Sequence, residues 1–157
     1  MKKLNVAIIG YGRSGCDIHG TFLRTPENDI CNVVAVVEND PARAEAAKKD
    51  FGCDTYHSYT ELFDRTDLDF VVTASYSDLH YPITKDLLEH GLNVLCEKPL
   101  CKTPEMVQDL IDTAKKNNVV FTIFHQYRYN DYYIKMHELL EKKVIGDVKL
   151  VKACQNS

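Results

Sequence analysis

Three glycines in the string Gly10-Tyr11-Gly12-Arg13-Ser14-Gly15 stand directly after an apolar run and open a helical segment. Gly10 permits a tight turn, Gly12 lets a pyrophosphate reach the main chain, and Gly15 lets the helix pack closely on the strand. The first helical turn, which includes Arg13 and Ser14, then offers unpaired N–H groups and the positive end of its peptide dipoles to phosphate oxygens. The same string elsewhere is an ordinary turn; the strand before it and the helix after it give it this meaning. Glu38, at the end of the second apolar run, is placed to accept hydrogen bonds from both hydroxyls of an adenosine ribose and to repel a 2′-phosphate. NAD is therefore expected over NADP, with Arg43 the nearby cation that argues for the phosphorylated form.

Glu97-Lys98-Pro99 follows the fifth apolar run. Proline fixes the loop and so aims the side chains before it. A lysine held beside a nicotinamide can hydrogen-bond a substrate hydroxyl or stabilise developing alkoxide charge. An acid–base pair on a loop is otherwise a surface ion pair of small worth. His80 sits at the start of a helix shortly after the fourth run, where a histidine either packs or serves the same ligand edge. His125-Gln126-Tyr127-Arg128 follows the sixth run. His19, His57, His90 and His137 have no such placement and read as structural or surface residues.

The elements that position these residues alternate between strand and helix. Strands are expected at Leu4–Ile9, Val33–Glu38, Thr55–Tyr56, Asp69–Ala74, Asn93–Cys96 and Val119–Phe124, each rich in apolar or β-branched residues. Helices are expected up to about Arg24, from Asp40-Pro41 through Lys49 to a stop near Gly52, from Leu79 to His90, and from Thr103-Pro104 to Asn117. A helical turn is expected at Thr60–Phe63. Short connections between alternating elements imply parallel strands joined by right-handed crossovers, a doubly wound α/β sheet. Such a sheet binds ligands beyond the carboxyl ends of its strands. That edge comprises residues 10–15, 38–40, 75–80, 97–99 and 125–128, and so includes Ser75, His80, Gln126 and Arg128. Beyond it, a helix is expected over Tyr132–Lys143 and a strand over Asp147–Cys154, which either adds to the existing sheet or is the opening of something larger, a second, α+β domain.

With 157 residues, 45% of them apolar, the chain can build one sizeable core. A formal net charge of −4 without basic clusters argues against nucleic acid as a partner. No apolar run reaches the roughly 20 residues of a membrane helix, and the N-terminus lacks the pattern of a signal peptide. The six cysteines show neither CxxC spacing nor a metal-ligand rhythm with histidine. A reducing, cytoplasmic setting without a metal site is expected.

Several of these segments occur together, and in order, in one known family. Val6-Ala7-Ile8-Ile9-Gly10-Tyr11-Gly12, Leu79-His80, Gly91 through Glu97-Lys98-Pro99-Leu100, Arg128 and Gly146-Asp147-Val148 resemble the N-terminal half of the Gfo/Idh/MocA oxidoreductases. The resemblance implies a Rossmann-type NAD(P)-binding domain over residues 1–126 and the start of a substrate and oligomerisation domain over residues 127–157. It implies hydride transfer between nicotinamide and a secondary hydroxyl of a sugar, cyclitol or related polyol. By motif position, Gly10, Gly12, Arg13, Ser14 and Gly15 would hold the pyrophosphate, Glu38 the ribose, and Ser75, His80, Glu97, Gln126 and Arg128 would line the cofactor. Lys98 would stand beside nicotinamide and substrate as the catalytic group. Where the family often shows Thr-Pro-Asn, this chain has Ser75-Tyr76-Ser77, and Gln126 replaces a common asparagine.

Family members usually continue into a larger second domain that completes the substrate pocket. Dinucleotide binding without turnover, and a C-terminal strand that is poorly ordered or pairs with a second copy, are therefore expected of the chain. A stand-alone dinucleotide-binding or sensing module is the alternative. A methyltransferase using the same glycine turn is disfavoured by Glu97-Lys98-Pro99 and by the strand count.

Overall fold

The computed structural model describes residues 2–152 and 154. The chain divides into two compact units, Met1–Phe124 and His125–Ser157. In the first unit, strands β1 (Leu4–Ile9), β2 (Cys31–Val37), β3 (Asp54–Tyr56), β4 (Phe70–Thr73), β5 (Val94–Cys96) and β6 (Phe121–Ile123) form one sheet. Its order is β3-β2-β1-β4-β5-β6, and every adjacent pair is parallel. This is the doubly wound arrangement of a dinucleotide fold, and its order reverses between β1 and β4.

β1 is the centre of the sheet. Ile9 lies level with Val37 on one side and Thr73 on the other, so the neighbouring strands end together. The ladder continues one residue past those ends. Gly10 N–H donates to the Val37 carbonyl, Ala74 N–H to Ile9, and Glu97 N–H to Thr73. The loops that follow β1, β4 and β5 thus begin in fixed register. Alternate residues of the strands feed cores on both faces: Ala7, Ile9, Val71 and Val94 pack with Ile83, Leu87 and Leu110, whereas Val6, Ile8, Val36 and Val72 pack with Ala47 and Tyr11. Burial on both faces is why the strands read as continuous apolar runs.

The helices start and stop where local chemistry directs. The first, α1, is wound as a π-helix over Arg13–Gly20 and continues in an α-helical turn, Thr21–Leu23. α2 (Pro41–Phe51) is capped by Asp40, whose carboxylate accepts from the N–H groups of Ala42 and Arg43, and ends at Gly52 with φ 64°. α3 spans His80–Glu89. α4 (Pro104–Lys116) is capped by the Thr103 hydroxyl, which accepts from Met106 N–H. A short 3-10 turn lies at Tyr59–Leu62.

The second unit comprises a 3-10 turn, Gln126–Tyr129, and α5 (Asp131–Glu141). The strand expected over Asp147–Cys154 is not formed: residues 147–152 run without strand pairing, and Ala153 lies outside the described residues. Alternation of polar and apolar side chains favours a strand only when a partner completes its ladder, and none pairs here among the described residues. No helix among them is long and apolar enough to cross a membrane. They contain no cluster of potential metal ligands.

Candidate functional site

The glycine turn at the end of β1 is held by sterics. Gly10 has φ +89°, and a Cβ there would lie 2.7 Å from the Ala74 carbonyl oxygen. A Cβ on Gly15 would overlap the Gly10 carbonyl, so these two residues must stay glycine for strand and helix to meet. Gly12 is different. Among the described residues, the Arg43 guanidinium, 3.5 Å away, is the only neighbour its Cβ would meet, so their packing demands no glycine there. The space beside it is open to an approach from outside the protein. Among the described residues, no side chain caps the N-terminus of α1, in contrast to α2 and α4. Arg13 and Ser14, in its first turn, leave main-chain donors for an anion.

Glu38 is fixed before any ligand arrives. Tyr11 N–H donates to its Oε2 at 2.8 Å and Asp40 N–H to its Oε1 at 2.9 Å. Each carboxylate oxygen keeps further lone-pair capacity for a hydroxyl donor. Tyr11 itself is buried, and its hydroxyl donates to Asp50 at 2.6 Å while accepting from Arg24 at 2.9 Å. Burial, reinforced by the Asp50 hydrogen bond, pushes the Tyr11 phenol well above its ordinary range. The phenol therefore stays a donor and ties the glycine turn to α2.

Past β4, Ser75 and His80 act together. His80 is 2% exposed, with Nδ1 at 2.7 Å from the Pro99 carbonyl and Nε2 at 3.0 Å from the Ser75 carbonyl. The ring donates to at least one of them and bridges the loop after β4 to the loop after β5. The sequence places His80 on the ligand edge, and the structure turns its ring between the two loops.

Past β5, Glu97 is buried and Lys98 exposed. The Lys98–Pro99 peptide bond is cis. Glu97 Oε2 accepts from Lys98 N–H at 3.1 Å and lies 4.0 Å from Lys98 Nζ. Its Oε1 is 2.9 Å from His19 Nε2, and the His19 ring lies 4.4 Å from that of Phe124. Burial works to raise the Glu97 carboxyl, but the hydrogen bond and charge of His19, with the N–H and charge of Lys98, outweigh it and hold the carboxyl below the usual range. His19, expected to be structural or surface, is buried, four residues after Gly15 on the same inward side of the helix, and its contact with Glu97 has no signal in the neighbouring residues. Gln126 and Arg128 lie in the 3-10 turn of the second unit.

The first unit thus brings Gly10–Gly15, Glu38, Ser75, His80, Glu97 and Lys98 to the carboxyl ends of β1, β2, β4 and β5. That arrangement can cradle a diphosphate, bind a ribose and move a proton at one amine. Residues 4–125 match the profile of an oxidoreductase family with an NAD-binding Rossmann fold, Gfo/Idh/MocA. Trans-1,2-dihydrobenzene-1,2-diol dehydrogenase of Xenopus tropicalis is 34% identical over 122 residues, covering 77% of this chain and 37% of the frog protein. A scyllo-inositol 2-dehydrogenase (NADP(+)) of Bacillus subtilis is 25% identical over 154 residues, covering 98% of this chain and 42% of that protein. The crystal structure of scyllo-inositol dehydrogenase from Lactobacillus casei, with bound cofactor NAD(H) and scyllo-inositol, aligns with a TM-score of 0.82 at 26% identity, over 93% of this chain and 43% of that one. The chain therefore spans about two fifths of the length of these relatives. Profile and fold agree: the chain belongs to the Gfo/Idh/MocA family of oxidoreductases.

Proposed function

We propose that this chain is the cofactor-binding part of an NAD(P)-dependent dehydrogenase acting on a secondary hydroxyl of a sugar, cyclitol or related polyol. One observation carries the reading. The open N-terminus of α1, the prefixed Glu38 carboxylate and Lys98 all lie at one sheet edge, around the point where strand order reverses. The oxidoreductase family and the inositol dehydrogenases among the relatives support the reaction and substrate class.

The bound nicotinamide would supply hydride chemistry. The chain's residues do the rest. Main-chain donors of Gly12, Arg13 and Ser14 bind the pyrophosphate, with Gly10 and Gly15 shaping the turn. Glu38 accepts from the ribose hydroxyls. Ser75 and His80 hold the loop after β4 against the loop that carries Lys98. Lys98 hydrogen-bonds the reacting hydroxyl through Nζ and exchanges its proton as the carbinol is oxidised. Gln126 and Arg128, in the second unit, are cofactor-binding candidates by family position alone. Glu38 favours NAD, whereas Arg43 beside Gly12 gives a 2′-phosphate a nearby cation and makes NADP the second choice. The unpaired cysteines, of which Cys31, Cys53 and Cys96 are buried, support a reducing, cytoplasmic location.

Calorimetric titration of the chain with NAD, NADP and S-adenosylmethionine tests the reading. NAD is expected to bind, and Glu38→Ala to weaken it by about tenfold or more through loss of charged hydrogen bonds. A well-folded chain that binds no dinucleotide overturns the cofactor assignment. Preference for S-adenosylmethionine moves the chain to a different chemistry.

A further inference from the structure

His19 is a polar side chain in a place where polarity is costly. It is 7% exposed, on the inward side of α1, against the ring of Phe124. An apolar residue would fill the same space without losing hydration. The π winding of Arg13–Gly20 brings Gly15, His19 and Gly20 to the buried side together, and such winding is uncommon outside functional segments. The ring meets Glu97, 78 positions away in sequence, at 2.9 Å. Glu97 divides its two oxygens: Oε1 faces His19, whereas Oε2 accepts from Lys98 N–H and faces Lys98 Nζ.

We propose that His19 is a positioning residue for Lys98: its Nε2–H fixes the Glu97 carboxylate so that the second oxygen carries the Lys98 main-chain N–H and faces the Lys98 ammonium. The proposal rests on the reading of Lys98 as the proton-exchanging group. Among the described residues, His19 on α1 and Lys98 on the same loop meet the Glu97 oxygens; the adjacent Cys96 thiol, pushed up mainly by burial, also feels the Glu97 charge, and Phe124, at the end of β6, adds an uncharged ring. An ionised carboxylate only accepts, so the proton of the short contact resides on Nε2. Without that donor, Glu97 is a buried carboxylate held only by Lys98. It then takes up a proton more readily, and Oε2 ceases to face the amine as a charge. The depressed Glu97 carboxyl is consistent with this arrangement.

The test is an NMR titration of the chain without cofactor. Glu97 is followed at its carboxyl carbon and Lys98 at its side-chain nitrogen, assigned with Glu97→Gln and Lys98→Arg. In the unsubstituted chain, both resonances are expected to inflect together below the ordinary carboxylate range. In His19→Leu, which keeps the packing, both inflections should move up by about tenfold or more in proton affinity, the worth of one charged hydrogen bond. His19→Gln, which keeps an N–H donor, should restore most of the shift. A Glu97 inflection unmoved in folded His19→Leu overturns the proposal. So does a Lys98 resonance that fails to follow Glu97. Should His19→Leu fail to fold, Glu97→Gln decides: the acidic inflection of Lys98 must vanish, and its persistence refutes the coupling. Because no cofactor is present, these outcomes stand apart from the dinucleotide titration, whose failure would remove the proposed activity but leave the His19–Glu97–Lys98 coupling measurable.

Discussion

A buried carboxylate keeps its charge only where neighbours stabilise it, and Glu97 has His19 on one oxygen and Lys98 on the other. Its carboxyl is held below the ordinary carboxylate value of 4.5. The folded chain therefore binds that proton less readily than the unfolded chain, so Glu97 stabilises the fold above the unfolded value and loses that contribution as pH falls through the lower folded value. The melting temperature measured by circular dichroism is expected to fall between about pH 6 and about pH 3, and to fall less steeply in Glu97→Gln. Equal slopes would mean that the pair contributes nothing to folding. At this scale the places of Glu38, Lys98 and the three glycines were legible, because each lies within a few residues of the end of a recognisable strand. It did not reveal that His19 reaches Glu97, since that contact depends on how α1 is wound and on which strand lies beneath it.

Elements begin and end here by local rules, and those rules were readable. Asp40-Pro41 and Thr103-Pro104 each combine a side-chain cap with proline at the first helical position, and both helices start where that pairing requires. Gly52 closes α2 in the left-handed region. The junction of β1 and α1 is the most constrained of these boundaries. Gly15→Ala would press a methyl group into the Gly10 carbonyl and is expected to cost about 1–3 kcal/mol by denaturant unfolding, with weakened dinucleotide binding as the turn shifts. Asp40→Ala, which removes only a cap, should cost about 1 kcal/mol. A Gly15→Ala chain as stable as the parent would mean that α1 can move off β1 at little cost. The winding of α1 itself was not legible. Periodicity announces a helix but does not say whether its N–H groups reach four or five residues back.

At the scale of the molecule, the sheet and both of its cores are built within Met1–Phe124. A protein ending at Phe124 is therefore expected to unfold cooperatively and to keep the slowest amide exchange in β1, which is paired on both sides and buried on both faces. It should also retain dinucleotide binding through Gly10–Gly15 and Glu38. Loss of the cooperative transition on removing residues 125–157 would show that the second unit supports the first.

The sequence by itself determined the doubly wound topology, the position of the glycine turn and the edge at which Glu38 and Lys98 stand. These follow from apolar periodicity, caps and glycine sterics, which act over a few residues and are written in consecutive positions. Tertiary structure alone decided the His19–Glu97 pair, the turning of His80 between the Ser75 and Pro99 carbonyls, and the unformed strand after Asp147. Each depends on which segments become neighbours once the ladder register is set. A side chain's partner, or a strand's lack of one, is a property of that closed arrangement rather than of the residues on either side of it.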